Sequence, residues 1–223
     1  MKILVFLGLL VTSTSLFAQQ FAFEVKGHIQ DTEKAKYAYL YSAGNKGLFL
    51  RVPLVNGTFK FKSNADLDGN LLRWGIIFVE ARNNVTAAEV KKNLDTQTWL
   101  PGGTAKIKNI ILEDIDLDIT QGSQINYPEI VGGGIFNKQL KEITATGSAK
   151  KINSFEFIKK YPNSPVSVLE LQGIANFLEV LSLAKFEQTF GGSPQKMYAM
   201  LSDRLKESKE GKAVKMKIEA RKK

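Results

Sequence analysis

Three tyrosines recur at every second position early in the chain, at Tyr37, Tyr39 and Tyr41. On a β-strand this spacing places all three rings on one face, because successive side chains point to opposite sides. A row of exposed aromatic rings could stack against a carbohydrate or another flat ligand. Aromatic side chains are also favoured on any amphipathic sheet face, and the pattern favours that plainer interpretation. The three tyrosines are nevertheless the candidate ligand or partner surface.

Three aspartates, Asp114, Asp116 and Asp118, also alternate, and such a D-x-D-x-D pattern can supply calcium ligands. An EF-hand loop that began at Asp114 would need glycine at its sixth position and glutamate at its twelfth. Those positions hold Ile119 and Ile125, so the motif fails. The pattern predicts instead a strand with its aspartates on a solvated face and its apolar residues toward the core.

The chain lacks the residues that other familiar chemistries need. It contains no cysteine, which excludes a disulfide framework, a thiol nucleophile, a redox C-x-x-C pair and a lipoprotein-type acyl anchor. His28 is the one histidine, so zinc, haem and a Ser–His–Asp relay are unsupported. No P-loop or G-x-S-x-G motif is present. We therefore predict no enzymatic activity, no metal and no cofactor, and keep an enzyme with an unrecognised carboxylate site as an alternative.

The N-terminus is typical of an exported protein. Lys2 precedes a short apolar run, and small residues follow up to Ala18, as in a secretory signal peptide. The run is shorter than the about 20 apolar residues that span a bilayer. The alternative is a buried N-terminal helix. We expect cleavage near Ala18, and a periplasmic or otherwise exported protein that is not a lipoprotein.

The next part of the chain alternates with the period of β-strands. The clearest strand begins at Phe21, and residues 71–79 are apolar on both faces, as in the centre of a sandwich or a helix-backed sheet. Asn56–Gly57 predicts a type I′ hairpin, because that turn needs positive φ at both central residues. Its register would set Leu54 opposite Phe59 and Val52 opposite Phe61, with all four on one face.

The remaining segments before the helices are less regular. We predict mostly loop over residues 83–93, one or two strands over 105–119, loop over 121–134, a helix over 135–143 and a linker over 144–150.

Residues 152–171 mark the change from strands to helices. A helix should end at Tyr161, because Pro162 disfavours helical geometry in the residue before it. A new helix should begin with Ser164 as its N-cap and Pro165 as its first residue. Beyond this corner apolar residues recur every three or four positions. A new helix should start at Ser193–Pro194, and Gly211 should interrupt that helix.

These patterns predict an α+β fold, in which an N-terminal antiparallel β-sandwich-like domain precedes a C-terminal α-helical segment. The expected organisation is a signal peptide at residues 1–18, a β-rich domain at 19–146 and an α-helical region at 147–223.

Several motifs together resemble a known bacterial family. F-x-V-x-G-x-I at residues 23–29, Y-x-Y-L-Y at 37–41 and V-N-G-x-F-x-F at 55–61 are similar to the opening of the bacterial domain of unknown function 4369. F-I-K-K-Y-P-N-S-P-V-S at 157–167 and L-S-D-R-L-K-E-S-K-E-G-K at 201–212 resemble the helical segment that follows. In that family the module precedes a thioredoxin-like domain of the AhpC/TSA type in exported thiol-disulfide reductases.

The resemblance implies a β-sandwich-like module associated with thioredoxin-like proteins of the bacterial envelope. No residue here corresponds to the active-site thiols, so the family's redox activity does not carry over. We expect an orphan N-terminal domain that acts as a non-catalytic exported binding or interaction module. Its expected partner is a separately encoded thioredoxin-like periplasmic protein or another envelope component, and the sequence leaves its oligomeric state open.

The charge of the chain supports a second alternative. The formal net charge is +9, and lysine and arginine outnumber the acidic residues from Lys196 onward. A basic module of this kind could contact an anionic envelope polymer or, peripherally, a membrane surface. The final basic residues are equally expected at the C-terminus of a solvated helix, where positive charge is favourable. Because export separates the chain from nucleic acid, we expect no nucleic-acid partner.

Overall fold

The computed structural model describes residues 20–96, 107–145 and 152–220. The predicted signal peptide and most of the predicted linker lie outside these ranges.

Eight strands in the described part of the chain form two four-stranded sheets. The first has the order β4-β1-β7-β8 and contains β1 (Gln20–Asp31), β4 (Thr58–Asp66), β7 (Ile115–Gln121) and β8 (Glu129–Gly133). The second has the order β3-β2-β5-β6 and contains β2 (Tyr37–Ser42), β3 (Leu48–Pro53), β5 (Trp74–Glu80) and β6 (Ile107–Ile111). Neighbouring strands are antiparallel except β1 and β7, which run parallel. The predicted α+β class is confirmed, and this parallel pair is the departure from a wholly antiparallel sandwich.

The two sheets face each other across a single apolar core. Alternate residues of each strand point inward, as the period of two predicted, so that the first sheet presents Phe23, Val25 and Leu117 to Leu40 and Ile77 of the second. This core is what holds the sandwich together, because burying one such side chain contributes roughly 1.5–3 kcal/mol.

The Asn56–Gly57 turn forms as predicted, but the strands on either side of it do not pair. Asn56 (φ 50°) and Gly57 (φ 75°) both have positive φ, and Val55 and Thr58 make the one bridge beside them. Beyond the turn β3 pairs with β2 and β4 pairs with β1, so the predicted hairpin register is wrong. Pro53, which has no N–H to donate, ends β3 at this point.

The turn therefore connects the two sheets and closes one side of the sandwich. Val52, Leu54, Phe59 and Phe61 still contact a common core, because the sheets that carry them face each other.

The outer face of the second sheet is partly covered by helix α1 (Ala87–Asp95), where the sequence predicted mostly loop. The Thr86 side chain caps this helix by accepting a hydrogen bond from the Glu89 N–H. Val90 of α1 packs in a small cluster with Phe78 of β5. Since Ile77 faces the sandwich core, the middle of β5 is buried on both faces, as predicted, whereas Trp74 at its start is exposed on the outer face. The structure also contains β8 in the segment predicted to be loop.

The C-terminal part consists of short helices around their own core. They are α2 (Ile135–Thr144), α3 (Ser154–Lys160), α4 (Pro165–Ala175), a 3-10 helix (Asn176–Glu179), α5 (Leu183–Phe190), α6 (Pro194–Met200), α7 (Asp203–Lys206) and α8 (Lys209–Ala220). The predicted corner is confirmed: Tyr161 is the C-cap of α3, and Ser164 Oγ accepts from the Val166 N–H at the start of α4. The predicted start at Ser193–Pro194 is confirmed, but that helix ends at Met200, and Gly211 lies within the separate helix α8.

The helical core reaches the sandwich through β6. Ile111 of β6 is buried among helical residues that include Phe157, Leu171 and Val214, so the helices pack against one end of the second sheet. Among the residues described, no helix combines the length and apolar character that crossing a membrane requires.

Candidate functional site

The three tyrosines do not form an open platform. Tyr39 is fully buried under α1, where its ring stacks on Phe78 with centroids 4.9 Å apart and its hydroxyl donates to the Arg82 carbonyl (2.6 Å). Burial raises the pKa of the Tyr39 phenol. Tyr37 is half-buried, and the Arg51 guanidinium lies 5.7 Å from its ring centroid. The prediction of an accessible surface is therefore wrong for Tyr39, which serves the packing of α1.

Tyr41 is half-buried, packs against the cluster that includes Val90 of α1, and lines a cleft of about 820 Å³. The floor of this cleft is the part of the second sheet's outer face that α1 leaves open. Tyr41, Ile76 and Asn109 are cross-strand neighbours on this floor, and Trp74 is two residues from Ile76 on the same face of β5. We call this site the sheet–helix cleft. Its floor exists because three strands place alternate side chains on one surface.

Two helical walls flank the floor. Leu94, near the end of α1, forms one of them, and Leu169 and Gln172 of α4 stand with Lys209 and Glu210 of α8 on the other. The cleft is therefore built where the sandwich meets the helices, a usual location for ligand sites.

A buried arginine organises the polar rim of the cleft. Nε of Arg73 donates to Ser42 Oγ (2.7 Å), and its Nη atoms donate to the carbonyls of Asp66 (3.2 Å) and Lys46 (3.3 Å). Nη1 also forms an ion pair with the Asp68 carboxylate. These bonds tie together the loops after β2 and β4, so the rim is rigid before any ligand arrives.

Several groups in the cleft are free to bind a ligand. Trp74 is 42% exposed, and the side-chain amides of Asn109 and Gln172 have no hydrogen-bond partner in the described part of the chain. One oxygen of Glu210 accepts from the Leu71 N–H (3.0 Å), whereas its other oxygen is buried without a partner among the described residues. An aromatic ring beside unpaired amides can stack on a ligand ring and hydrogen-bond its polar groups.

The alternating aspartates lie on the opposite, outer face of the first sheet, as predicted. Asp116 pairs with Lys26 (3.6 Å), and Asp118 accepts from Gln30 and contacts His28 (3.2 Å). Ion pairs with Lys60 and Lys26 lower the pKa of Glu24 on this face to about 2. No cluster of metal-ligating side chains occurs in the residues that the structure describes. The outer face of the first sheet is therefore a solvated surface of paired charges. His28 lies on this face and does not line the sheet–helix cleft.

Comparison of the chain with protein-family models, with curated proteins and with solved structures finds no match. The assignment of the cleft therefore depends on its geometry. Of the three tyrosines predicted as a surface, Tyr41 lines the cleft. The sequence did not indicate Trp74, because residues 71–79 are apolar at nearly every position and predict a strand buried on both faces. No motif joins the other cleft residues, which come from distant parts of the sequence.

Proposed function

We propose that the chain is an exported, non-catalytic binding module whose sheet–helix cleft takes a neutral, hydroxyl-rich ligand such as an oligosaccharide. The observation that carries this proposal is the solvent-exposed ring of Trp74 on the floor of a concave site. The unpaired amides of Asn109 and Gln172 supply donors and acceptors of the kind that hydroxyl groups need.

The carboxylates of the cleft support binding over catalysis. Asp68 and Glu210 both line the site, as the carboxylate-enzyme alternative requires. However, Asp68 is held by Arg73, and Glu210 is held by the backbone of Leu71. Each carboxylate therefore has a structural partner, and neither is hydrogen-bonded to a nucleophile in the described part of the chain.

Replacing Trp74 with alanine should reduce oligosaccharide affinity by at least about tenfold, because truncating a central aromatic contact typically costs 2 kcal/mol or more. Isothermal titration calorimetry with chito-, cello- and malto-oligosaccharides would measure this loss. Phe177→Ala is the matched control, because Phe177 is an aromatic residue of similar exposure (48%) outside the cleft. Absence of binding by the unaltered protein across all three series, or equal binding by the Trp74→Ala variant, would refute the proposal.

The resemblance to the envelope module supports a partner as well as a ligand. We propose that a thioredoxin-like periplasmic protein associates with this module through surface contact, because the chain has no thiol with which to exchange a disulfide. Cross-linking in periplasmic extract followed by mass spectrometry should recover that partner. Recovery of the module alone would count against the association but leave the cleft proposal standing.

One observation favours the basic-surface alternative. Lys212, Lys215 and Lys217 are exposed on α8, and Met216 between them is 66% exposed. Basic side chains around an apolar one can bind an anionic lipid surface peripherally. Sedimentation with phosphatidylglycerol vesicles tests this alternative, because electrostatic binding should weaken sharply at high salt.

A further inference from the structure

A second cavity lies on the open side of the sandwich, between the free edges of β6 and β8. It has a volume of about 790 Å³, and α2 forms one of its walls. Asn137 of α2 closes one end: its Oδ1 accepts from the Ile111 N–H (3.0 Å) and its Nδ2 donates to the Ile111 carbonyl (2.8 Å). The side chain thus satisfies the edge of β6 as a neighbouring strand would. We call this space the edge cavity.

The edge cavity combines an apolar lining with two lysines. Apolar side chains from β6, β7, β8 and α2 line it, namely Ile110, Ile115, Leu117, Ile130 and Leu140. Lys108 lies two residues from Ile110 on β6, so it shares the inward parity of that core residue. Lys141 of α2 is exposed to solvent and borders the cavity. A lysine at an inward position of a sandwich strand is unusual, because burying an ammonium without a counter-charge is costly.

Neither lysine has a negative partner within the described residues. The Lys108 ammonium donates to the Asn126 carbonyl (3.2 Å) and has no carboxylate oxygen within 4.0 Å, and the same absence holds for Lys141. Glu129 also lines the cavity but pairs with neither of them at that distance. Burial, and secondarily the charge of Lys141, lower the pKa of Lys108.

We propose that the edge cavity binds an amphipathic organic anion, a carboxylate carried on an apolar chain. The carboxylate lies between Lys108 and Lys141, and the chain lies along the apolar side chains of β6 and β7. The carboxylate of such a ligand supplies a negative partner for the two ammonium groups. Its chain covers apolar side chains of the cavity lining. Fatty acids of medium length have this chemistry.

The placement of Lys108 has a second explanation, which the experiment separates from the first. An inward-pointing charge on an edge strand discourages that edge from pairing with another chain. This explanation accounts for Lys108 alone. It does not account for the position of Lys141, an exposed lysine of α2 that borders the same cavity close enough for its charge to act on Lys108.

The edge cavity and the sheet–helix cleft are adjacent but distinct. Trp74 and Asn109 line both, whereas the two lysines line the edge cavity and are absent from the lining of the cleft. A lysine variant therefore tests the anion site without removing the aromatic floor of the cleft.

The test is calorimetric titration of the full chain with decanoate, below its micellar concentration, against 1-decanol and decyltrimethylammonium. We expect decanoate to bind at least about tenfold more tightly than 1-decanol, since a charge-assisted pair adds that much or more. Lys108→Met should reduce this preference, and the double variant Lys108→Met, Lys141→Met should abolish it. Lys138→Met, an exposed position on α2 outside the cavity lining, should preserve it.

The pH dependence gives an independent readout. Decanoate binding should weaken as pH rises through the lowered pKa of Lys108, because the neutral amine no longer attracts the carboxylate. This dependence should shrink in Lys108→Met. Equal affinity for decanoate and 1-decanol would overturn the proposal. So would a Lys108→Met variant that binds decanoate normally, in which case the lysine only protects the strand edge.

Discussion

Replacing Arg73 with methionine should lower the free energy of unfolding by about 3–5 kcal/mol, the typical cost of removing one partner from a buried ion pair. The Arg73 side chain is only 6% exposed and Asp68 is 14% exposed. Methionine keeps much of the volume but leaves Ser42 Oγ and two backbone carbonyls without the Arg73 donor, and it leaves the Asp68 carboxylate with the Asn45 N–H but no counter-charge. Urea denaturation followed by circular dichroism would measure the loss.

Arg82→Met is the matched control. Arg82 also contacts two carboxylates, Glu80 (3.7 Å) and Glu89 (2.8 Å), but about half of its side chain is exposed. Exposed pairs contribute roughly 0–1 kcal/mol, so this variant should unfold almost as the unaltered protein does. Similar losses of unfolding free energy in the two variants would show that burial does not make the Arg73 ion pair more stabilising than the exposed Arg82 pairs.

Gly211→Ala should destabilise the protein by about 1–3 kcal/mol, the usual cost of forcing an extra group into a packed site. Helix propensity alone predicts the reverse, because alanine is favoured over glycine within a helix by about 1 kcal/mol. The tertiary structure reverses the sign. A Cβ at Gly211 would lie 2.0 Å from the Leu205 carbonyl oxygen and 2.8 Å from that of Lys206, and backbone atoms cannot move aside as a side-chain tip can.

Gly173→Ala provides the comparison. Gly173 lies within α4, and a Cβ there would meet nothing within 4 Å. This variant should gain roughly 0.5–1 kcal/mol from reduced backbone entropy in the unfolded chain. Opposite shifts in the thermal unfolding midpoints of the two variants are the expected result. A gain in stability for both would contradict the close approach of α8 to the end of α7.

The features that the sequence predicted correctly are governed by neighbouring residues. The corner at Tyr161 and Ser164 follows from the sterics of Pro162 and from a hydroxyl that caps its own helix. The Asn56–Gly57 turn follows from the tolerance of those two residues for positive φ. In each case the controlling interaction spans at most a few residues, so the type and order of residues are sufficient to predict it.

The errors involve interactions between distant segments. The turn at Asn56–Gly57 forms, yet β4 pairs with β1, because nine register positions along β1 outweigh the short pairing that Pro53 leaves available. Tyr37, Tyr39 and Tyr41 alternate alike in the sequence, but Tyr39 is fully buried in the cluster with Val90 of α1, whereas Tyr37 and Tyr41 stay partly exposed.

The sequence by itself therefore determined the strand-to-helix order, the caps and turns, and the absence of thiol chemistry. Only the tertiary structure decided which strands are neighbours, which of the three tyrosines is buried, and where Trp74, Arg73 and Lys108 come to lie. The physical reason is that local conformational preferences act within a few bonds, whereas clefts and buried charges arise when surfaces from distant segments pack against one another.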